Sequence, residues 1–295
     1  MAVLLKGTPV VEALTAGLTV RAAALRERGT VPCLAVVRVG ERPDDLAYER
    51  AAKKRCAAVG IKVRPFVFPA DVSQDCLLSA VLGINSDPLI HGCLLFRPLP
   101  GSLDESAICA ALDPRKDVDG VTMGSMAGVY SGAELGFSPC TAQSCMELLR
   151  YYGIDPSGKR AVVIGRSLVI GRPVAMMLLS ADATVTLCHT KTRDLPEITR
   201  SADLVVVAIG DGEAIGPEYF RAGQTVLDVG INWSEEKQRL VGDVDFERVF
   251  PLVGALSPTP SGVGSVTAAV LCKHVIESAG RSEGTESVLR KDCIQ

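Results

Sequence analysis

At 295 residues the chain can bury one large core or, more typically, two compact domains, and a formal net charge of −3 leaves no electrostatic footprint for a nucleic-acid backbone. Hydrophobic residues make up 47% of it and aromatics 4%, the Ala/Val/Leu/Ile-rich balance of parallel strands covered by helices and not of an aromatic-rich β-sandwich. The longest basic run is Lys53-Lys54-Arg55, no stretch approaches the roughly 18 apolar residues of a membrane span, and the apolar run from Ala2 to Leu5 is too short for a signal-peptide core. A soluble cytoplasmic protein is expected, with neither nucleic acid nor membrane as partner.

In chain order, residues 31–39 predict a buried strand, 44–59 a helix closed by Gly60, and 62–68 a second strand. Residues 73–84 read as a helix, 90–96 as a strand, and Pro98-Leu-Pro-Gly101 as the break before a helix around 105–112. Alternation of this kind gathers the strand-end loops on one edge of a parallel sheet. A helix opening at Pro139-Cys-Thr141, with Thr141 as N-cap, runs to about residue 152. Short Val-rich strands follow at 160–165, 184–188, 204–208 and 225–229, the pattern of a doubly wound parallel sheet. The fold class is therefore α/β in two domains, the second beginning near Pro139, with a polar, fraying tail after about Gly280. Ten cysteines without a CxxC pair read as reduced, buried thiols. His91, His189 and His274 fall in no metal-ligand pattern, so no metal site is expected.

The strand at 160–164 runs into Gly165-Arg-Ser-Leu-Val-Ile-Gly171-Arg-Pro173 and then a helix at 174–179. Strand, glycine turn and helix are what a dinucleotide needs: Gly165 permits the tight turn, the helix start offers unpaired N–H groups and a positive dipole end to phosphate, and Gly171 lets helix and strand approach. The spacing departs from GxGxxG, and an ordinary strand-to-helix turn would read the same way. The next strand ends Cys188-His189-Thr190-Lys191, without the Asp or Glu that bonds a ribose 2′-hydroxyl. Arg166 and Lys191 would accommodate a 2′-phosphate, so NADP is favoured over NAD; solvated surface charges are the alternative.

Val39-Gly40 with Tyr48, His91-Gly92, Pro98-Leu-Pro100, Lys116-Asp-Val-Asp-Gly120, Pro139-Cys-Thr141, Gly165-Arg-Ser167, Gly171-Arg-Pro173, Thr184-Val-Thr186, Asp228-Val-Gly-Ile-Asn232, Val241-Gly-Asp-Val244 and Pro260-Ser-Gly-Val-Gly264 with Thr267 recur in one order. Together they resemble the methylenetetrahydrofolate dehydrogenase/cyclohydrolase family from about residue 8 to 280. The resemblance implies a homodimer. It also implies a folate domain over 1–138 completed by a helix over 266–280, a Rossmann-type dinucleotide domain over 139–265, and a flexible tail over 281–295. It places Tyr48, Asp119, Pro260, Gly262 and Val263 on the folate side. Gly165, Arg166, Ser167, Gly171, His189, Thr190, Ile231 and Thr267 fall on the cofactor side. Independently of the name, a ring such as Tyr48 stacks on a flat heterocycle and a carboxylate such as Asp119 accepts paired N–H donors from an aminopyrimidinone. A lone helical tyrosine also reads as a half-buried core residue, and Asp117 and Asp119 as turn formers.

Two departures from the family pattern stand together. The family's Tyr-x-x-x-Lys ends here in Ala52, and its Gln before Pro-Leu-Pro is here Phe96. Hydride transfer from a folate methylene carbon needs orientation and no proton shuttle, whereas hydrolysis of the methenyl bridge needs a positioned acid/base. Lys53 and Lys54 point away from the Ala52 direction at about 100° per residue. An NADP-dependent methylenetetrahydrofolate dehydrogenase with cyclohydrolase activity lost or very weak is expected. The bifunctional enzyme and a non-catalytic folate- or nucleotide-binding protein are the alternatives. Ser261 and Ser265 also stand where the family has Gly and Pro.

Overall fold

A computed structural model describes the backbone of residues 2–292 and the side chains of residues 2–282. The elements are β1 (Val3–Leu4), α1 (Gly7–Glu27), β2 (Cys33–Val39), α2 (Pro43–Val59), β3 (Lys62–Phe68), α3 (Gln74–Ser86), β4 (Gly92–Leu95), α4 (Glu105–Ala111), α5 (Met123–Ser131) and α6 (Cys140–Tyr151). Then come β5 (Arg160–Ile164), α7 (Gly171–Ser180), β6 (Thr184–Cys188), α8 (Leu195–Ser201), β7 (Leu204–Val207), β8 (Thr225–Asp228), β9 (Asn232–Ser234), β10 (Arg239–Val241), α9 (Phe246–Val249), β11 (Ala255–Leu256) and α10 (Thr267–Asp292). They form two compact units, Met1–Glu12 with Pro139–Thr267, and Ala13–Ser138 with Ala268–Gln295. The tail expected over 281–295 lies, from 283 onward, outside the residues described with side chains.

In the first of these units all neighbouring strands of the main sheet are parallel, in the order β1-β11-β8-β7-β5-β6. The interior strands β5, β7 and β8 are buried along nearly their whole length, so they read as unbroken Val/Leu/Ile runs. The expected boundary at residue 139 needs a correction at the other end of the chain. Residues 1–12 belong here, because Val3 and Leu4 pair with Ala255 and Leu256 and Leu5 is buried. The apolar run from Ala2 to Leu5 is thus an edge strand. Thr141 is not the N-cap of α6 either: the helix already begins at Cys140, behind Pro139. The order of strands reverses at β5, whose neighbours are β6 and β7, so the crevice at their carboxyl ends is the topological switch point.

The second unit is a three-stranded parallel sheet, β3-β2-β4. Gly60 closes α2 in the left-handed region, at φ 79°, and Ser73 caps α3 by accepting the Cys76 N–H. Within this unit α10 contributes Val275 against Gly92, where a Cβ would stand 3.2 Å from Val275 and 2.6 Å from Val118. It also contributes His274, whose Nδ1 lies 2.9 Å from the Val118 carbonyl oxygen. Among the described residues no helix is long and apolar enough to cross a membrane.

A buried acid organises the loop between α4 and α5. Asp117 is 0% exposed and accepts the N–H groups of Val121 (3.0 Å) and Thr122 (2.7 Å) and the Ser125 hydroxyl (2.7 Å). Lys116 beside it donates to the carbonyls of Ile84 and Asp87, both at 2.7 Å, closing the end of α3. Removing the Asp117 carboxylate leaves two buried N–H groups and a hydroxyl without their acceptor, so Asp117→Ala should cost about 3 kcal/mol in urea unfolding.

Candidate functional site

At the carboxyl ends of β2 and β4, the start of α2 and the end of β4 enclose a cavity of about 580 Å3 lined by Arg42, Asp44, Asp45, Tyr48, Phe96, Arg97 and Asp119, among others. The sequence-predicted pair Tyr48 and Asp119 is thus brought together. The Asx-turn role belongs to Asp117, and Asp119, half-buried, faces the cavity. Phe96 meets Tyr48 edge to face, with centroids 5.8 Å apart and planes at 86°.

Ala52, one turn beyond Tyr48 on α2, is 1% exposed and presents a methyl group. Neither neighbouring lysine lines the cavity. Lys53 Nζ lies 2.5 Å from Glu49 Oε1, and the same carboxylate accepts the Arg38 Nε at 2.9 Å. Burial alone would raise the Glu49 carboxyl, but the hydrogen bonds from Lys53 and Arg38 outweigh it and hold it below its ordinary value. This ion triplet was not foreseen, although Arg38 inside the apolar run Val-Val-Arg-Val signals a buried partner. Burial pushes the Cys93 and Cys145 thiols up to about 12, so neither is a nucleophile.

In the other unit, Gly165 has φ 120° and a Cβ on it would stand 2.1 Å from the Ala208 carbonyl oxygen, which excludes any side chain at the switch point. Gly171 packs equally tightly on the Gly165 carbonyl. The expected donation of free N–H groups from the helix start is not what forms. Ser167 Oγ accepts the N–H groups of Ile170 (3.1 Å) and Gly171 (3.3 Å), and its carbonyl accepts that of Arg172 (3.0 Å). A phosphate would therefore meet the positive end of the α7 dipole and the exposed guanidinium of Arg166. The register Ile164↔Cys188 sets His189, Thr190 and Lys191 beside Gly165 and Arg166. His189 there folds its own turn, accepting the Lys191 N–H on Nδ1 at 3.1 Å and donating its backbone N–H to Thr192 at 2.9 Å. No acid stands at the end of this strand, and Arg166 and Lys191 are exposed, so the chain's own groups fit a phosphorylated ribose.

Ile231 and Thr267 also come together. A Cβ on Gly264 would stand 2.7 Å from Ile231 Cδ1, and the Thr267 hydroxyl donates to the Gly264 carbonyl at 2.9 Å. Pro260, Gly262 and Val263 belong to this same unit; Val263 is 1% exposed, so its side chain is core. Ser261 has φ 78°, the left-handed conformation that suits glycine, and Ser265 donates its N–H and its hydroxyl to the Gly262 carbonyl, the N–H bond being one a proline could not make. Ser261→Gly should raise stability by about 1 kcal/mol in urea unfolding by relieving that conformation.

Two buried acids that sequence reading had quoted without a role hold the loops beyond β7 and β8. Asp243 Oδ2 accepts the N–H groups of Ile209 (2.6 Å) and Gly210 (3.0 Å), and its Oδ1 those of Asp211 (3.0 Å) and the Asn232 amide (2.9 Å). Asp228 accepts the N–H groups of Gly230, Asp243 and Val244. Burial, helped by the nearby Asp243 charge, raises Asp228 to about 7 against the lowering effect of those N–H groups. Folded protein holds this proton more tightly than unfolded protein between the ordinary 3.8 and about 7. Its contribution to stability is therefore greatest at low pH and is lost as pH rises through that window. Urea titrations over the window should show a shallower fall in Asp228→Asn than in the wild type.

Residues 5–119 match the tetrahydrofolate dehydrogenase/cyclohydrolase catalytic domain and residues 139–283 its NAD(P)-binding domain. The bifunctional protein FolD of Carboxydothermus hydrogenoformans is 46% identical over 279 residues, covering 94% of this chain and 97% of that one. Among solved structures, the bifunctional methylenetetrahydrofolate dehydrogenase/cyclohydrolase of Campylobacter jejuni superposes with a TM-score of 0.92 at 38% identity, covering 95% and 99% of the two chains. The Trypanosoma brucei methylenetetrahydrofolate dehydrogenase-cyclohydrolase, solved with NADP and an inhibitor, gives 0.87 at 34% identity, covering 95% and 98%. The chain belongs to the tetrahydrofolate dehydrogenase/cyclohydrolase family.

Proposed function

We propose that this member of the tetrahydrofolate dehydrogenase/cyclohydrolase family oxidises 5,10-methylenetetrahydrofolate to 5,10-methenyltetrahydrofolate with NADP, and that it hydrolyses the methenyl bridge very weakly or not at all. The observations that carry the second half are Ala52, buried one turn beyond Tyr48 on α2 with only a methyl group, and Phe96, which lines the cavity with its ring against Tyr48; they stand where the resemblance puts a lysine and a glutamine, and Lys53 is drawn to Glu49. The cytoplasmic location and the homodimer implied by the resemblance belong to the same proposal.

Asp119 holds the pterin by accepting its paired N–H donors, and Tyr48 offers its ring to the flat part of the substrate. Bound NADP supplies the hydride acceptor. Loss of hydride leaves a cation shared by the two flanking folate nitrogens, so no side chain has to move a proton, and orientation supplies the rate. Arg166 and Lys191 would hold the 2′-phosphate, and the positive end of the α7 dipole would favour the pyrophosphate. Ring opening of the methenyl product differs, because water must lose one proton and a folate nitrogen must gain one. Ala52 and Phe96 carry no titratable group.

Incubation with methylenetetrahydrofolate should generate reduced cofactor and methenyl-folate in step with NADP, at a lower rate with NAD, and the methenyl product should decay no faster than in buffer. Restoring both polar groups in Ala52→Lys/Phe96→Gln should accelerate that decay about 100-fold or more, while Lys53→Ala should not change it. Rapid methenyl decay in the wild type that Lys53→Ala abolishes would overturn the monofunctional reading.

A further inference from the structure

The three-stranded sheet carries another cavity, of about 730 Å3, at the edge opposite Tyr48. Cys33, which starts β2, Lys62, which starts β3, and His91, the residue before β4, all line it, so it lies at the amino ends of the strands. The two cavities share no lining residue, and Gly92 and Cys93 stand between His91 on this side and Leu94 on the other. The reaction proposed above uses nothing here. The floor is polar and fixed: His91 Nδ1 accepts the Cys33 N–H at 3.2 Å, and the His91 N–H donates back to the Cys33 carbonyl at 2.9 Å.

Its two sides differ. On one, Lys62 is exposed and makes no ion pair among the described residues, and Arg64 follows two residues on along the same face of β3. Arg64 Nη1 meets Asp87 at 2.6 Å, and the other oxygen of that carboxylate accepts the Leu89 N–H at 2.8 Å. None of the described residues lining the cavity is acidic, so with Asp87 set against Arg64 the charge of Lys62 is left over. Burial raises the Cys33 thiol on the floor, and Arg64 and Lys62 oppose that rise more than Asp87 adds to it, so the field there is net positive. The last carbonyls of α3, which would repel an anion, are already bonded: Gly83 accepts the Asp87 N–H, and Ile84 accepts Lys116. On the other side Val31, Pro88 and Leu89 are exposed, Leu89 to 69%. Single exposed apolar residues are ordinary; these three share one cavity with an unpaired cation.

We infer that this cavity is a second ligand site, taking a small carboxylate with an apolar body: the carboxylate at Lys62, with Arg64 as its second donor, and the apolar body against Val31, Pro88 and Leu89. Arg64 keeps N–H donors beyond the one given to Asp87, and its planar fork matches the two oxygens of a carboxylate. A bare inorganic anion would leave the apolar side unused, and an uncharged body would leave Lys62 unpaired. The volume falls within the roughly 300–1,000 Å3 of small-molecule sites.

The test is a titration of isotope-labelled protein, followed by amide chemical shifts, with 2-naphthoate as probe, 2-naphthylmethanol as its uncharged analogue and sulfate as the bare anion. Naphthoate should saturate with shifts confined to residues 29–33, 62–64 and 88–91, and should bind about fivefold more tightly than the alcohol, with the gap closing as salt is raised. Lys62→Gln, a change at an exposed position, should bring acid and alcohol within about twofold of each other. Leu89→Ser should weaken both alike, by about threefold. Shifts centred on residues 42–48 and 94–97, or no saturation at all, would overturn the site. Equal affinity for acid and alcohol in the wild type, or sulfate binding as tightly as naphthoate, would overturn the assigned ligand class.

Discussion

Parallel sheets deliver their ligand-facing loops at the carboxyl ends of the strands, and those loops must hold shape although their N–H groups have left the ladder. Each unit of this chain meets that constraint with a buried carboxylate that collects backbone donors. Asp117, which bridges β4 in parallel at Cys93, does so between α4 and α5, and Asp243, with Asp228 behind it, does so after β7 and β8. Each substitutes for water that the packed loop excludes. The glycines follow from the acids: a Cβ on Gly242 would stand 1.7 Å from Asp228 Oδ2, and one on Gly230 would stand 2.1 Å from Asp243 Oδ1. The Gly-Asp motifs are thus packing requirements of the loops as much as marks of a family.

The same economy explains α2. Its first turn faces the cavity with Arg42 and Asp45 locked together, its second presents Tyr48, and one turn later the buried side carries Ala52. A lysine at 52 would have to keep its charge close to the Arg38–Glu49–Lys53 triplet, in which two cations already share one carboxylate. Ala52, Phe96, Arg38 and Glu49 are consistent as a set. Arg38 and Glu49 are buried and Lys53, exposed, closes the triplet from the surface.

Much of this was legible in the sequence because the interior strands are buried on both faces and the loops obey turn chemistry. The β2, β3 and β4 runs, the Gly60 cap and the strand–Gly165–helix turn read directly from apolar runs and glycine positions. The N-terminal strand was not legible, since two residues pairing with Ala255 and Leu256 carry no periodic signal. Nor was α1, a 21-residue helix whose small and threonine residues give no sharp apolar stripe and which runs on from one unit into the other. At the site, residue types were readable and pairings were not. Nothing local says that Ser167 would consume the N–H groups of the α7 start, or that Glu49 would claim Lys53, because both depend on distances of a few ångströms set by packing.

The substitutions at 52 and 96 also bear on how the proposed reaction ends. In that reaction a methenyl-folate cation formed near Phe96 finds no water-activating group at position 52 or 96. Of the carboxylates lining the cavity, Asp45 is neutralised by Arg42, which leaves Asp44 and Asp119 to act on the charge of a bound folate. On the proposed reading the methenyl compound is itself the product, because hydride transfer asks only for orientation whereas hydrolysis is the step that asks for a proton to be moved.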